Sequence, residues 1–203
     1  KKCKKLIGLT ATPIHNSDRK AMANTYEKLI HGPLLSELVD GGFLATPYFL
    51  TLPVNESMKY DTVKGNESAA RVFKANDVDI VYESIIEAYN HVCSIARKKL
   101  TALVFAISRA HGKRLNQEFI NAGIDSQYLD SLSTKEERKR IVEDFREGKL
   151  QVMVNIDLFG EGFDAPNCDA VLMARPTSSE ILFFQQCGRA LRPAEGKKYG
   201  YIM

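Results

Sequence analysis

The sequence predicts an α/β fold in which helices cover both faces of a parallel sheet. Three observations predict it. Short apolar runs rich in β-branched residues recur at TALVFAI (101–107), LQVMVNI (150–156) and CDAVLMA (168–174), each of strand rather than helix length. Between and before them lie stretches with apolar residues at helical spacing: DIVYESIIEAYNHVCSIARKK (79–99), SRAHGKRLNQEFINAG (108–123) and TKEERKRIVEDFREG (134–148). Such alternation builds right-handed βαβ units, and strands apolar along their whole length belong to a sheet buried on both sides.

In chain order, KKLIGL (4–9) is a short apolar run ending at TATP. GPLLSELVDGGFLATPYF (32–49) reads as a helix, a Gly-Gly turn and an entering strand. VNESMKYDTVKGNESAARVFKAND (54–77) is polar and rich in turn formers, which marks a surface excursion. The helix at 79–99 and the strand at 101–107 follow, then a helix over 108–123 closed by Gly123, and a strand at IDSQYL (124–129). Ser133 with Glu136 forms a capping box that opens the next helix, and Gly148 closes it. After the strands at 150–156 and 168–174, Thr177 with Glu180 caps a final helix before the terminal GYIM.

The bulk numbers exclude several classes. With 203 residues, 44% hydrophobic and 26% charged, the chain has the composition of an ordinary soluble globular protein. No apolar run approaches the roughly 18 residues of a membrane span, and Lys1, Lys2, Lys4 and Lys5 lead into too short an apolar stretch for a secretory signal. The chain lacks an initiator Met and reads as a piece of something longer. A net charge of +3 does not by itself argue for nucleic acid. Cys3, Cys93, Cys168 and Cys187 form no C-x-x-C pair and no His cluster accompanies them, which fits reduced thiols in a cytoplasmic or nucleoid-associated protein and no bound structural metal.

The stretch QQCGRALRP (185–193) carries the chemistry. On a helix advancing roughly 100° per residue from Ile181, Phe183, Phe184, Cys187, Ala190 and Leu191 fall between about 180° and 300°. Gln185, Gly188, Arg189 and Arg192 share the opposite arc. The apolar stripe is expected to pack on the sheet. Arginine on the other stripe suits phosphate, because its planar fork meets phosphate oxygens bidentately. A glycine inside a helix sacrifices about 1 kcal/mol relative to alanine, which suggests that something approaches closely there. An amphipathic helix with a merely solvated polar face is the alternative that the pattern leaves open. Upstream, Gly160 and Gly162 form a turn able to approach a ligand, with the acceptor Asp164 beside it, but the residues alone favour a plain solvated loop. The same G-E-G-F-D-A matches a loose dinucleotide fingerprint, but Pro166 and a strand follow where a helix belongs.

Q-x-x-G-R-x-x-R (185–192) resembles motif VI of superfamily two helicases and translocases, and four further blocks stand in the matching order. LTATP (9–13) resembles motif III, LVFAISRAH (103–111) motif IV, and VNIDLFGEGFDAP (154–166) motif V, while STKEERKRIVEDFREGKLQVMV (133–154) resembles the helix and strand after motif IV. The segment GPLLSELVDGGFLATPYF is similar to the inter-domain stretch of the branch related to DNA-repair translocases and type I restriction motor subunits.

The resemblance implies two RecA-like domains with ATP in the cleft between them. The first holds the phosphate-binding loop and the acidic magnesium motif, and this sequence contains neither G-x-x-x-x-G-K-[ST] nor D-E-x-[DH]. Residues 1–50 are then the end of the first domain and the inter-domain segment, and 51–203 the second domain. Arg192 is implied as the arginine finger, Arg189 as a bridge to the γ-phosphate, and Gln185 as a hydrogen-bonding group in the cleft. Gly160, Gly162, Asp164 and Gly188 would line the nucleotide. Ser108, Arg109 and Asn155 would meet nucleic-acid phosphates, although Ser108 also reads as a plain helix N-cap. Thr10 and Thr12 would couple nucleotide state to the nucleic-acid track. Lys135, Arg138, Lys139 and Arg140 alternate with Glu136 and Glu137 and read as a solvated face. The implied function is the C-terminal motor domain of an ATP-dependent DNA helicase or translocase, with ATP and Mg2+ held mainly by the first domain and the piece alone inactive. Its implied partners are DNA and that first domain. A duplex-DNA translocase of a restriction or remodelling enzyme, and a non-catalytic RecA-like binding module, are the competing readings.

Overall fold

The computed structural model describes residues 5–9, 25–51, 78–156, 165–175, 177 and 179–203. Its elements run α1 (Leu35–Asp40), β1 (Thr46–Phe49), α2 (Val78–Ala96), β2 (Ala102–Phe105), α3 (Arg109–Asn121), β3 (Ser126–Leu129), α4 (Lys135–Arg146), β4 (Val152–Asn155), β5 (Ala170–Leu172), α5 (Glu180–Ala190) and β6 (Tyr199–Ile202). The strands form one six-stranded sheet in the order β1-β6-β5-β2-β4-β3. Every pairing in it is parallel.

The two faces follow from the pleat, since successive strand side chains point to opposite sides. Ala102 and Val104 of β2 pack with Val152 and Val154 of β4 beneath α2 (Ile85, Tyr89, Val92) and α3 (Leu115, Phe119). Leu103, Phe105 and Met153 face the other way, into a second cluster with α4 (Ile141, Phe145) and α5 (Cys187, Ala190, Leu191). Burial on both sides is why β2 and β4 carry no outward polar alternation. Close packing needs a small residue at Gly112 of α3, where a Cβ would press on the Tyr128 ring. Burial also pushes the Cys168 thiol up to about 12 and Cys187 to about 11, so both behave as small apolar side chains.

Several boundaries differ from those expected. The hydroxyl that caps α4 is Thr134, accepting from the Glu137 amide at 3.1 Å, rather than Ser133. Ser133 instead accepts from the Asp130 amide at 3.2 Å. Ser179 rather than Thr177 caps α5, and Thr177 accepts from the Ser179 amide one step earlier. Gly123 and Gly148 do close their helices, with φ of 75° and 72°.

The expected division at residue 50 needs correction: β1 is a strand of the same sheet, paired with β6 from Thr46↔Tyr199 to Phe49↔Ile202. A boundary there would cut an edge strand from its ladder. Residues 5–9 form no strand, and Leu6, Ile7 and Leu9 are exposed. The stretch 54–77 lies outside the described residues.

Candidate functional site

α5 runs antiparallel to the strands, starting beyond the C-terminal end of β5 and ending beside the N-terminal end of β6. Gly200 permits that seating, because a Cβ there would collide with the Ala190 carbonyl. The Leu191 carbonyl accepts from the Ala45 amide at 2.9 Å, which ties the end of α5 to the entry of β1. Arg192 therefore stands at the edge of the sheet where the strands begin.

The helix is turned from the orientation its apolar stripe suggests. Gln186 and Arg189 are buried at 4% and 8% exposure, whereas Phe184 is 59% exposed. Gln185 is exposed and Arg192 half-buried. A rotation of roughly 60° about the helix axis accounts for both departures, with the buried arc centred on Ala190 rather than on Cys187. Gly188 is open, with nothing within 4 Å of a Cβ added to it. No packing neighbour within the described residues demands that glycine.

The segment immediately following Asp164 in the chain meets this same edge. Lys197, on the turn after α5, donates from Nζ to the carbonyls of Pro166 at 3.2 Å and Cys168 at 2.5 Å. Asp169 accepts from Lys98 at 2.9 Å and from the Thr101 amide at 3.2 Å. Asn167 donates to the Phe145 carbonyl at 2.5 Å, and its own carbonyl accepts from the Thr101 hydroxyl. Gly160, Gly162 and Asp164 themselves, like Thr10 and Thr12, lie outside the described residues.

Ser108 and Arg109 stand at the opposite edge, where β2 ends. Ser108 caps α3, accepting from the His111 amide at 3.2 Å. His111 Nδ1 accepts from the Ile107 amide at 3.2 Å, and burial holds its imidazole below the ordinary histidine range, consistent with a neutral ring acting as acceptor. Arg109 pairs with Asp130 at 3.2 Å and donates to Ser131 at 2.9 Å. Asp130 is buried, which raises its pKa. The Leu132 amide at 2.8 Å, the Tyr128 hydroxyl at 3.0 Å and the Arg109 charge outweigh that and hold it below the ordinary range. The Asp130 knot and the caps of α3 and α4 thus shape one face at this edge.

Asn155 requires a correction. Its side chain is fully buried, donating to the Val104 carbonyl at 3.0 Å, so it clamps β4 to β2 and does not present itself to a phosphate. Sequence reasoning also missed Asp130 and Lys197. The signal for Asp130 was available in D-S-L-S, an aspartate two residues before the amide it caps. Nothing local marks Lys197, whose partners are 29 and 31 residues away.

The family model described as helicase conserved C-terminal domain matches residues 84–194, more than half of the chain. The chain belongs to this helicase family. Among similar proteins, a 51.5 kDa protein of a Lactococcus phage is 31% identical over 186 residues, covering 92% of this chain and 40% of that protein. A putative ATP-dependent helicase, IRC3, of Saccharomyces cerevisiae is 28% identical over 199 residues, covering 98% of this chain and 29% of that one. The chain spans less than half the length of these curated relatives. Domain 2 of the DEAD-box helicase Mss116p, solved bound to an RNA duplex, superposes with a TM-score of 0.50 at 19% identity, over 62% of this chain and 48% of that one. This likeness shows the fold, a RecA-like helicase C-terminal domain.

Proposed function

We propose that this chain is the second motor domain of an ATP-dependent DNA helicase or translocase, supplying arginines to a nucleotide held chiefly, with its Mg2+, by a first RecA-like domain. The observation that carries the proposal is the separation of two polar edges. The end of α5, with Arg192 and the open Gly188, lies at the start of the strands. Ser108, Arg109 and the caps of α3 and α4 lie at their ends. One edge then serves the nucleotide and the other the nucleic-acid track, so closure between domains links them.

In this reading Arg192 is the finger. Phosphoryl transfer spreads negative charge over the γ-phosphoryl oxygens, and an arginine presented to that charge is worth on the order of 10³ to 10⁵ in rate. Arg189, being buried, acts from behind it, and Gln185 is the exposed hydrogen-bonding group of the same helix. Asp164, with the turn of Gly160 and Gly162, serves the ribose. On the other edge, Arg109 is held by Asp130 beside two capped helix N-termini, and such termini attract phosphate through their free amides and dipole. Thr10 and Thr12 couple the two. Because the nucleotide's phosphate-binding loop belongs to the partner domain, the chain alone is inactive.

The test is nucleotide turnover by the full-length protein with and without duplex and single-stranded DNA. Stimulation by DNA supports the proposal, and absence of turnover under every condition contradicts it in favour of a binding-only module. The resemblance to restriction motors favours a second reading, pumping of duplex DNA without strand separation. Triplex displacement without strand displacement identifies that activity.

A further inference from the structure

We propose that Lys197 is a positioning residue that pins the turn bearing Arg192 against the 166–168 segment, and so sets where Arg192 stands. This rests on the motor reading above. The turn from Leu191 to Lys198 leaves α5 and enters β6, with Gly196 at φ 73° and the Lys197 amide bonded to the Ala194 carbonyl at 3.1 Å. Backbone bonds fix the two ends of the turn, with Leu191 and Lys198 accepting from the Ala45 and Thr46 amides at 2.9 Å, but among the described residues none joins residues 192–197 to the 166–168 segment. The Lys197 side chain supplies that link, reaching from the turn to the carbonyls of Pro166 and Cys168. The target is itself immobilised: Asp169 is held by Lys98 and Thr101, and Asn167 by Phe145.

The choice of an ammonium is informative. Burial holds Lys197 below the ordinary lysine range, with the Asp169 carboxylate pulling the other way and the cations Lys98 and Arg192 adding a smaller push down. Desolvating an ammonium is a costly way to make a purely structural tie. Neutral donors fasten loops at a smaller desolvation cost. Such costs are characteristic of sites where geometry matters to chemistry. The tie spans the nucleotide edge from the arginine turn to the chain just beyond motif V, two elements that the sequence separates by about two dozen residues.

The experiment uses the full-length protein carrying Lys197→Met, Lys197→Arg, or Lys197→Met combined with Arg192→Lys. Methionine keeps length and apolar contact but removes the donors, whereas arginine keeps them. Hydrogen exchange at the Cys168 and Asp169 amides, which bond to Ala165 and Thr101 carbonyls, is expected to quicken about tenfold in Lys197→Met and to return toward wild type in Lys197→Arg. DNA-stimulated kcat is expected to fall at least about tenfold in Lys197→Met, as misplacement of a catalytic group by a fraction of an ångström to an ångström allows. Lys197→Arg is expected to stay within about twofold of wild type. In the Arg192→Lys background, Lys197→Met should change the residual kcat less than about twofold, because the two residues act as a unit. Unchanged exchange overturns the tie. Faster exchange with unaffected kcat, or an equal loss in both backgrounds, overturns the positioning role and leaves a structural tie. A wild type without any turnover overturns the motor reading and the positioning role together, and the exchange result still decides the tie.

Discussion

Replacement of Gly188 by alanine separates what the helix needs from what its surroundings need. A Cβ at this position meets nothing within 4 Å, and Gly188 lies within α5 rather than at its cap. Alanine in place of a helical glycine adds about 0.5–1 kcal/mol of stability, chiefly by restricting the unfolded chain. For a domain of this size that corresponds to a rise in thermal midpoint of roughly 1–4 °C. Gly188 also lies one helical turn before Arg192 and one after the exposed Phe184. If the nucleotide or the first domain closes on that ridge, the new methyl stands in the approach. The account therefore predicts a variant that is more stable and yet slower, with DNA-stimulated turnover down about tenfold or more, as ångström-scale misplacement permits. Differential scanning calorimetry and steady-state turnover on the same preparation decide it. A destabilised variant refutes the open-space reading. A stabilised variant with wild-type turnover refutes the idea that anything approaches the helix there.

Three further perturbations are expected to behave differently. Gly200→Ala places a methyl roughly 1 Å inside ordinary contact with the Ala190 carbonyl, which is backbone and yields little; about 1–3 kcal/mol of destabilisation is expected in denaturant titrations, with turnover reduced because the end of α5 shifts. Asp130→Asn removes the charge that faces Arg109 and is expected to lower stability by about 1–3 kcal/mol at neutral pH. Because the Asp130 pKa is depressed in the fold, its contribution is present in full above the ordinary carboxylate value of about 3.9 and is lost as pH falls through the lower folded value. Wild type should therefore lose more stability than Asp130→Asn in urea titrations taken from pH 5 downward.

The main strands and helices were legible because the sheet is buried on both sides, so β2 and β4 are uninterrupted apolar runs and the helices between them keep a 3.6-residue period. The edge strand β1 was visible as a strand but not as part of this sheet. Its ladder joins residues about 150 positions apart, and no local pattern encodes such a pairing. Cap assignments slipped by one or two residues where hydroxyls adjoin, at Ser133-Thr134 and Thr177-Ser178-Ser179, because adjacent hydroxyls are alike in sequence and only the backbone path selects among them.

The candidate site was legible in residue type more than in environment. Arg192 and Gln185 lie where the helical pattern puts them, at least partly exposed. Arg189 does not, since the helix rotates to bury it and turns Phe184 outward. A wheel drawn from apolarity alone assumes that a core-facing stripe must be apolar, and here a buried arginine and glutamine share it. Asn155 misled for the converse reason. A polar residue ending an apolar strand looks like a ligand-binding group, but it serves as an interior strand clamp.

The central claim is that Arg192, just past the end of α5, completes a nucleotide site whose phosphates are held by another domain. Steady-state ATP turnover of the full-length protein with duplex DNA, comparing wild type with Arg192→Ala and measuring ATP affinity alongside, tests it most directly. The account predicts turnover lower by about 10³ or more with affinity changed only severalfold. Turnover of Arg192→Ala within about threefold of wild type would contradict it.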